Sequence, residues 1–207
     1  RGRRYLNIIG MSIHSALRAP EDIDGTKQWD ALLGRAKGLK TQPSWKSYTG
    51  VRHSQLMMVK GESARQLLSR GLKKTLGDLS GVLSTLPDET PLALLLESDC
   101  GLPEIQGEEI WQESWDVGQI RQSVTRIAGQ GLETVDQWLD DSRNERSMLM
   151  IIAIRVRPEQ VEGSAESIVG LLLAGEALSP KLVPLARLHR PEMMYHTGTD
   201  DFQYALK

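Results

Sequence analysis

The chain has little cysteine, few aromatic residues and no long apolar run. Its only cysteine, Cys100, rules out an internal disulfide, and low cysteine usage suits the cytoplasm and the periplasm alike. No run reaches the roughly 18 apolar residues that a membrane-spanning helix needs. Aromatic residues make up 5% of the 207 residues, and the tryptophans are spread along the chain. This spread is typical of separate packing anchors rather than of a stacking platform.

An excess of positive charge is also lacking. The formal net charge is -2 and the sequence pI is about 6.1, so the chain offers no basic field for phosphates and we expect no nucleic-acid partner. The exception is the cluster of Arg1, Arg3 and Arg4, a kind found beside a membrane segment or a trimmed leader. This cluster fits two alternatives equally well: a signal or anchor segment upstream of Arg1, or a boundary at which the expressed protein was trimmed.

Residues 131–178 are the most informative stretch, because they place a helix pattern and two strand patterns in succession. Leu132, Val135 and Trp138 share one face at helical spacing. Residues 147–156 are apolar at almost every position, which is typical of a strand covered on both faces, and residues 164–174 form a second apolar run. This order indicates a layered α/β domain.

The sequence therefore predicts an α/β fold with a mixed central sheet and flanking helices. Its centre is residues 147–156, flanked by 92–97 and 168–173. We expect a single α/β domain over residues 1–190, followed by a polar tail over 191–207. The other predicted elements are strands over 4–13, 55–59 and 182–188 (the last at a sheet edge), helices over 27–36, 62–76 and 120–127, and a surface loop over 101–116.

Cys100 follows a predicted buried strand, which is where a nucleophile elbow would lie. Its neighbour Asp99 disfavours a thiolate. Pro103 favours a loop, whereas an oxyanion hole of the elbow type needs a following helix. We therefore expect Cys100 to be structural.

No metal or nucleotide pattern is found, so we expect no metal and no cofactor. The 4 histidines show no ligand spacing, and neither a glycine-rich phosphate loop nor G-x-S-x-G occurs. The adjacent carboxylates Asp140 and Asp141 are typical of a solvated helix end rather than of a glycosidase pair.

The segment over 104–116 is the predicted partner-binding surface. It combines two tryptophans with apolar and acidic residues, and exposed tryptophan among polar groups is the usual composition of an interface hot spot. In the alternative interpretation both tryptophans fold back as plugs over the sheet. The candidate residues are Ile105, Glu108, Glu109, Ile110, Trp111 and Trp115.

One resemblance lies in three segments, residues 7–11, 29–34 and 162–173. In this order they resemble the opening strand, the first helix, and the glycine-acid-glycine-alanine turn and strand of the thiolase and ketosynthase fold. The residues from His196 onward echo a catalytic histidine loop. The small-residue flanks of the family's catalytic cysteine are missing and the chain is much shorter, so the resemblance implies a degenerate thiolase-like half. The enzyme alternative is an acyl-transfer enzyme that uses Cys100 and His196.

A second resemblance lies in four segments, residues 134–139, 147–149, 162–167 and 180–191. They are similar to parts of the C-terminal region of the type VI lipase adaptor proteins. The resemblance implies a non-catalytic adaptor or chaperone of the periplasm, with or without an inner-membrane anchor, that binds a phospholipase effector and hands it to the secretion spike protein. An immunity protein that masks a lipase is a further alternative, and the sequence does not separate it from an adaptor.

Overall fold

The computed structural model describes residues 4–36, 40–43, 50–157, 165–178 and 183–190. Its helices are α1 (Thr26–Leu33), α2 (Ala64–Leu83), α3 (Glu104–Val117) and α4 (Gly131–Asp140). Its strands are β1 (Tyr5–His14), β2 (Lys40–Pro43), β3 (Gly50–His53), β4 (Leu92–Asp99), β5 (Val124–Arg126), β6 (Met148–Arg155), β7 (Ser167–Ala174) and β8 (Ala186–His189). Short 3-10 helices cover Ser142–Arg146 and Glu176–Leu178.

Six of these strands form one mixed sheet in the order β5-β4-β6-β7-β1-β8. Strand β4 pairs in parallel with β5 and β6, whereas β7 pairs antiparallel with both β6 and β1. The short strand β8 pairs antiparallel with the first part of β1 and forms an edge. The predicted α/β class, the centre at β6 between β4 and β7, and the late edge strand are confirmed.

Strand β6 lies within the core because it is apolar on both faces. Alternate side chains point to opposite faces of a sheet, and Met150 and Ile152 join one buried cluster while Leu149 joins another. Helix α2 packs on the first face against β1 and β7 and also contacts α3. Helix α4 covers the second face through Val135 and Leu139.

Helix α2 lies close to the sheet because two strand positions opposite it lack a side chain. A Cβ on Gly170 of β7 would lie 2.8 Å from Thr75 Cγ2 and 3.0 Å from Leu79 Cδ1. One on Gly10 of β1 would lie 3.3 Å from Leu79 Cδ2. The helix begins with a capping box, in which the Ser63 side chain accepts from the Gln66 backbone N–H and the Gln66 side chain accepts from Ser63 N–H.

Three of the predicted elements differ from the structure, the first in where it ends and the other two in kind. Helix α2 does not end near residue 76 but continues through Gly77 and Gly81 to Leu83, since its apolar face continues along the sheet. Residues 120–127 are not a helix, because 124–126 instead pair with β4 as β5. The stretch 55–59 carries no strand pairing in the described chain.

The predicted loop over 101–116 is also wrong, because residues 104–117 form helix α3. Pro103 occupies the N-cap position, so it begins the helix where we expected it to break one. The predicted C-terminal tail, 191–207, lies outside the described residues.

Candidate functional site

A cleft of about 940 Å³ runs along the outer side of α2, and we call it the α2 cleft. The loop over 15–25 and the start of α1 form one wall through Ile23, Asp24 and Trp29. Helix α3 contributes Glu113. The α2 side chains in the cleft include Arg65, Gln66, Ser69, Arg70, Lys73, Lys74 and Asp78.

The wall loop is fixed by Arg18, whose side chain is 0% exposed. Its Nη1 lies 2.7 Å from Asp78 Oδ2 and its Nη2 lies 3.1 Å from Asp78 Oδ1. The same guanidinium donates to the carbonyl oxygen of Ile23 at 2.6 Å and to that of Asp22 at 3.2 Å. Since these carbonyls belong to the loop and Asp78 belongs to α2, the arginine ties the loop to the helix.

Lys74 gives the loop a second tie to α2. Its Nζ donates to the carbonyl oxygens of Pro20 at 2.6 Å and Asp22 at 3.0 Å. Burial, and then the positive charges of Arg18 and Arg70, lower the pKa of Lys74 below its usual value. The loop carbonyls therefore stabilise the ammonium group of a lysine that lies among other positive charges.

The far end of the loop is fixed by Asp22 and Gln28. The Asp22 carboxylate accepts from the backbone N–H of Gln28 at 3.0 Å, in the first turn of α1. The buried Gln28 side chain donates to the Ile13 carbonyl at 2.6 Å and accepts from Ser15 Oγ at 2.8 Å. These bonds join α1 to the end of β1.

His14 ends β1 and is 0% exposed. Neither of its ring nitrogens has a hydrogen-bond partner among the described residues. Burial, and then the positive charges of Arg18, Arg70 and Lys74, lower the pKa of His14 to about 3. The ring is therefore neutral near pH 7.

The rim of the α2 cleft carries ion pairs. Arg65 lies 3.1 Å from a Glu109 carboxylate oxygen and 3.0 Å from one of Glu113, which links α2 to α3. Arg70 Nε lies 2.7 Å from Glu62 Oε1, and this pair lowers the pKa of Glu62. The exposed pairs at Arg65 contribute little to stability, but they fix the charge pattern of the rim.

A second opening, of about 680 Å³, lies at the carboxyl end of β4, and we call it the Cys100 cleft. In open α/β sheets, ligands commonly bind outside the carboxyl ends of strands. Leu96, Leu102 and Trp111 line this cleft together with Cys100. Two ion pairs also border it, Arg126 with Glu108 and Arg157 with Asp99.

In the Cys100 cleft a helix follows the thiol, whereas we expected a loop there. Helix α3 begins at Glu104, and Asp99 is paired with Arg157. No histidine lines the described part of the cleft. His196 lies outside the described residues, so its proposed pairing with Cys100 stays a prediction.

The predicted partner-binding segment is not an exposed tryptophan loop. Within α3, Ile110 is 0% exposed and Trp111 is 3% exposed, and both belong to the core cluster on the α2 face of the sheet. Trp115 is half-buried against that cluster, with its ring centroid 5.5 Å from that of Trp111. Trp111 therefore folds back onto the sheet, as in the alternative interpretation. The prediction that Ile110 and Trp111 form an exposed hot spot is wrong.

The acidic members of that segment are exposed on α3. Glu108 bonds Arg126 at 2.6 and 3.0 Å, and Glu109 pairs with Arg65. Ile105 lies in the first turn of α3, but its side chain falls outside what the structure describes. A partner-binding role for Glu108 and Glu109 stays a prediction.

Sequence analysis missed the residues that build the wall of the α2 cleft. Asp78 lies beyond the end of the helix predicted over 62–76, and Arg18 lies in a stretch without a periodic signal. Lys74 lies in the last turn of the helix predicted over 62–76, where a lysine is ordinary. These contacts join residues about 60 positions apart in the sequence, so no local pattern predicts them.

In the described part of the chain, no three His, Cys, Asp or Glu side chains are grouped so as to hold a metal ion. Of the helices that the structure describes, none is long and apolar enough to cross a membrane.

Comparison with known proteins gives distant similarities to solved structures. No family model and no curated protein matches it. Among solved structures, a fungal type III polyketide synthase, ORAS, is 11% identical with a TM-score of 0.43, and a variant of Xanthomonas campestris OleA is 11% identical with a TM-score of 0.42. The priming β-ketosynthase of the R1128 polyketide pathway is 8% identical with a TM-score of 0.38.

These matches cover 86% of this chain, which spans 58% of the first two proteins and 52% of the third. Because identities and TM-scores are low, no residue role is transferred from these enzymes. The resemblance to type VI lipase adaptor proteins gains no support from the comparisons.

Proposed function

We propose that this chain is a non-catalytic adaptor or chaperone that binds a type VI secretion phospholipase effector and helps to load it on the secretion spike protein. The proposal includes a periplasmic location, with or without an inner-membrane anchor upstream of Arg1. The choice of this partner rests on the segment resemblances over 134–139, 147–149, 162–167 and 180–191.

The observation that carries a binding role is the apolar wall of the α2 cleft. Ile23 is 79% exposed at the cleft, and Leu33 on the adjoining helix α1 is 80% exposed. A single exposed apolar residue is ordinary, but apolar side chains beside an open cleft with a charged rim have the composition of a protein interface. The hydrogen bonds of Arg18 and Lys74 hold this wall in place before a partner arrives, which lowers the entropy cost of binding.

A binding assay with matched surface variants tests the proposal. The chain is mixed at pH 7.5 with the phospholipase effector and the spike protein of the same secretion system, and affinities are measured by calorimetry. We expect Ile23→Glu and Leu33→Glu to weaken effector binding by tenfold or more. Leu132→Glu is the control, because Leu132 is 54% exposed on α4, which covers the other sheet face.

Absence of effector binding, or equal weakening by Leu132→Glu, would refute the proposal. The same mixture separates an adaptor from an immunity protein. An adaptor leaves phospholipase activity unchanged and also contacts the spike protein, whereas an immunity protein abolishes that activity.

A degenerate thiolase-like acyl-transfer enzyme is the second candidate, favoured by the position of Cys100 in a cleft before α3. Under the adaptor proposal, Cys100→Ala leaves effector binding and delivery intact. Loss of biological activity in folded Cys100→Ala protein, together with fast iodoacetamide labelling of the wild type near pH 7, would favour the enzyme.

A further inference from the structure

His14 is the last residue of β1, and the wall loop of the α2 cleft begins at the next residue. The imidazole is fully buried, and neither ring nitrogen meets a hydrogen-bond partner among the described residues. A neutral imidazole carries one donor and one acceptor, so its burial already costs free energy. A second proton would add an unsatisfied charge to the same place.

The charged groups that face this ring are mostly cationic. Arg18 comes from the loop, Arg70 and Lys74 come from α2, and Glu62 from the turn before α2 is the one anion among those that shift the titration of His14. Strand β7 places the apolar Ile168 opposite His14 in the sheet register. The buried end of β1, from which the loop starts, is therefore compatible with neutral His14 and not with its imidazolium form.

We propose that His14 is an acid-sensitive latch, whose protonation opens the loop over 15–25 and removes one wall of the α2 cleft. Opening separates Arg18 from Asp78 and Lys74 from the loop carbonyls, and it lets water reach the ring. The further consequence, release of a bound partner in acid, rests on the proposed function. The opening of the loop does not.

The direction of the effect follows from the two protonation equilibria. The pKa of His14 is about 3 in the closed state, whereas an exposed histidine titrates near its usual pKa of 6.5. Above about pH 6.5 the closed loop is thus fully favoured. Below that pH, the ratio of closed to open loop falls about tenfold for each pH unit. Between pH 7.5 and 5.0 the open population should rise about thirtyfold. Glu62 stays ionised over this interval because the Arg70 guanidinium lowers its pKa.

Hydrogen exchange measured by mass spectrometry on the full chain tests the latch. Exchange rates at pH 7.5 and 5.0 are corrected for the chemical pH dependence of exchange, and peptides from 15–25 are compared with peptides from β6. We expect about a thirtyfold loss of protection in the loop at pH 5.0 and none in β6. His14→Gln should cancel this loss, while the control His189→Gln, which changes an exposed histidine on β8, should retain it.

Unchanged loop protection in wild type at pH 5.0 would overturn the latch. So would an equal loss in β6, or an equal loss in His14→Gln. If His14→Gln does not fold, the His14 ring is followed by NMR in the wild type, and titration near pH 6.5 with the loop still protected would also overturn it. Acid opening of the loop in a chain that binds no phospholipase effector at pH 7.5 would support the latch and refute the proposed function alone.

Discussion

Arg18 and Asp78 form a two-point ion pair in which the arginine side chain is fully buried. Nη1 lies 2.7 Å from Oδ2 and Nη2 lies 3.1 Å from Oδ1, with side-chain exposures of 0% and 16%. Ser12 Oγ donates to the same carboxylate at 2.6 Å. One carboxylate thus joins the wall loop, α2 and β1.

Removing the charge of Asp78 should destabilise the chain. Asp78→Asn keeps the shape but leaves the Arg18 guanidinium buried without its counter-charge, and breaking a buried pair in this way costs about 3 to 5 kcal/mol. The free energy of unfolding from urea titration measures it. Asp88→Asn is the control, because its pair with Arg121 has side chains 53% and 58% exposed and should lose less than about 1 kcal/mol. Equal losses would mean that the Arg18 pair does not hold the loop.

Gly170 sets the distance between α2 and the sheet, so Gly170→Ala should destabilise the chain. The new Cβ would lie 2.8 Å from Thr75 Cγ2, 3.0 Å from Leu79 Cδ1 and 3.2 Å from Ile152 Cδ1. Overpacking of this kind typically costs about 1 to 3 kcal/mol. Thermal unfolding followed by circular dichroism measures the change.

Gly81→Ala is the matched variant, and its effect should have the opposite sign. Gly81 is exposed within α2, and a Cβ there would meet nothing within 4 Å. Alanine in a helix interior is favoured over glycine by about 0.5 to 1 kcal/mol. A stabilising Gly170→Ala or a destabilising Gly81→Ala would contradict the packing described for α2.

The sheet could be predicted from the sequence because its strands carry strong local patterns. Residues 147–156 are apolar on both faces, and that pattern indicates a central strand without any tertiary information. Helix α3 could not be predicted, because Pro103, Gly107 and its acidic residues indicate a loop. Its buried stripe, Ile110 and Trp111 with Ser114, is too narrow to outweigh them.

The candidate site was largely beyond prediction from the sequence. The ties of the wall loop join Arg18 to Asp78 and Lys74 to Pro20, and such pairs depend on how β1 and α2 pack. The sequence did place Trp111 and Cys100 near one another along the chain, and both line the Cys100 cleft. It could not tell that the Trp111 ring faces inward, because two or three apolar residues in an acidic segment fit an interface and a helix seam equally well.

Ile152 should carry a large share of the stability, because it is 0% exposed at the middle of β6. Ile152→Ala is a large-to-small change in the core and should cost about 2 to 5 kcal/mol. Ile23→Ala is the control, because a side chain 79% exposed should change the unfolding free energy by less than about 0.5 kcal/mol. A cost below about 1 kcal/mol for Ile152→Ala would show that β6 is peripheral.

Trp111 gives the sharpest test of core against surface in α3. The side chain is 3% exposed and contacts Trp115, while the Arg126 guanidinium carbon lies 5.8 Å from its ring centroid. Trp111→Ala should therefore cost about 3 to 5 kcal/mol of unfolding free energy and lower the melting temperature strongly. Glu109→Gln, on the exposed face of the same helix, should leave the melting temperature nearly unchanged, because its pair with Arg65 is solvated. If Trp111→Ala keeps the wild-type melting temperature and instead weakens binding of the effector, the ring contacts the partner and the core position assigned to it is wrong.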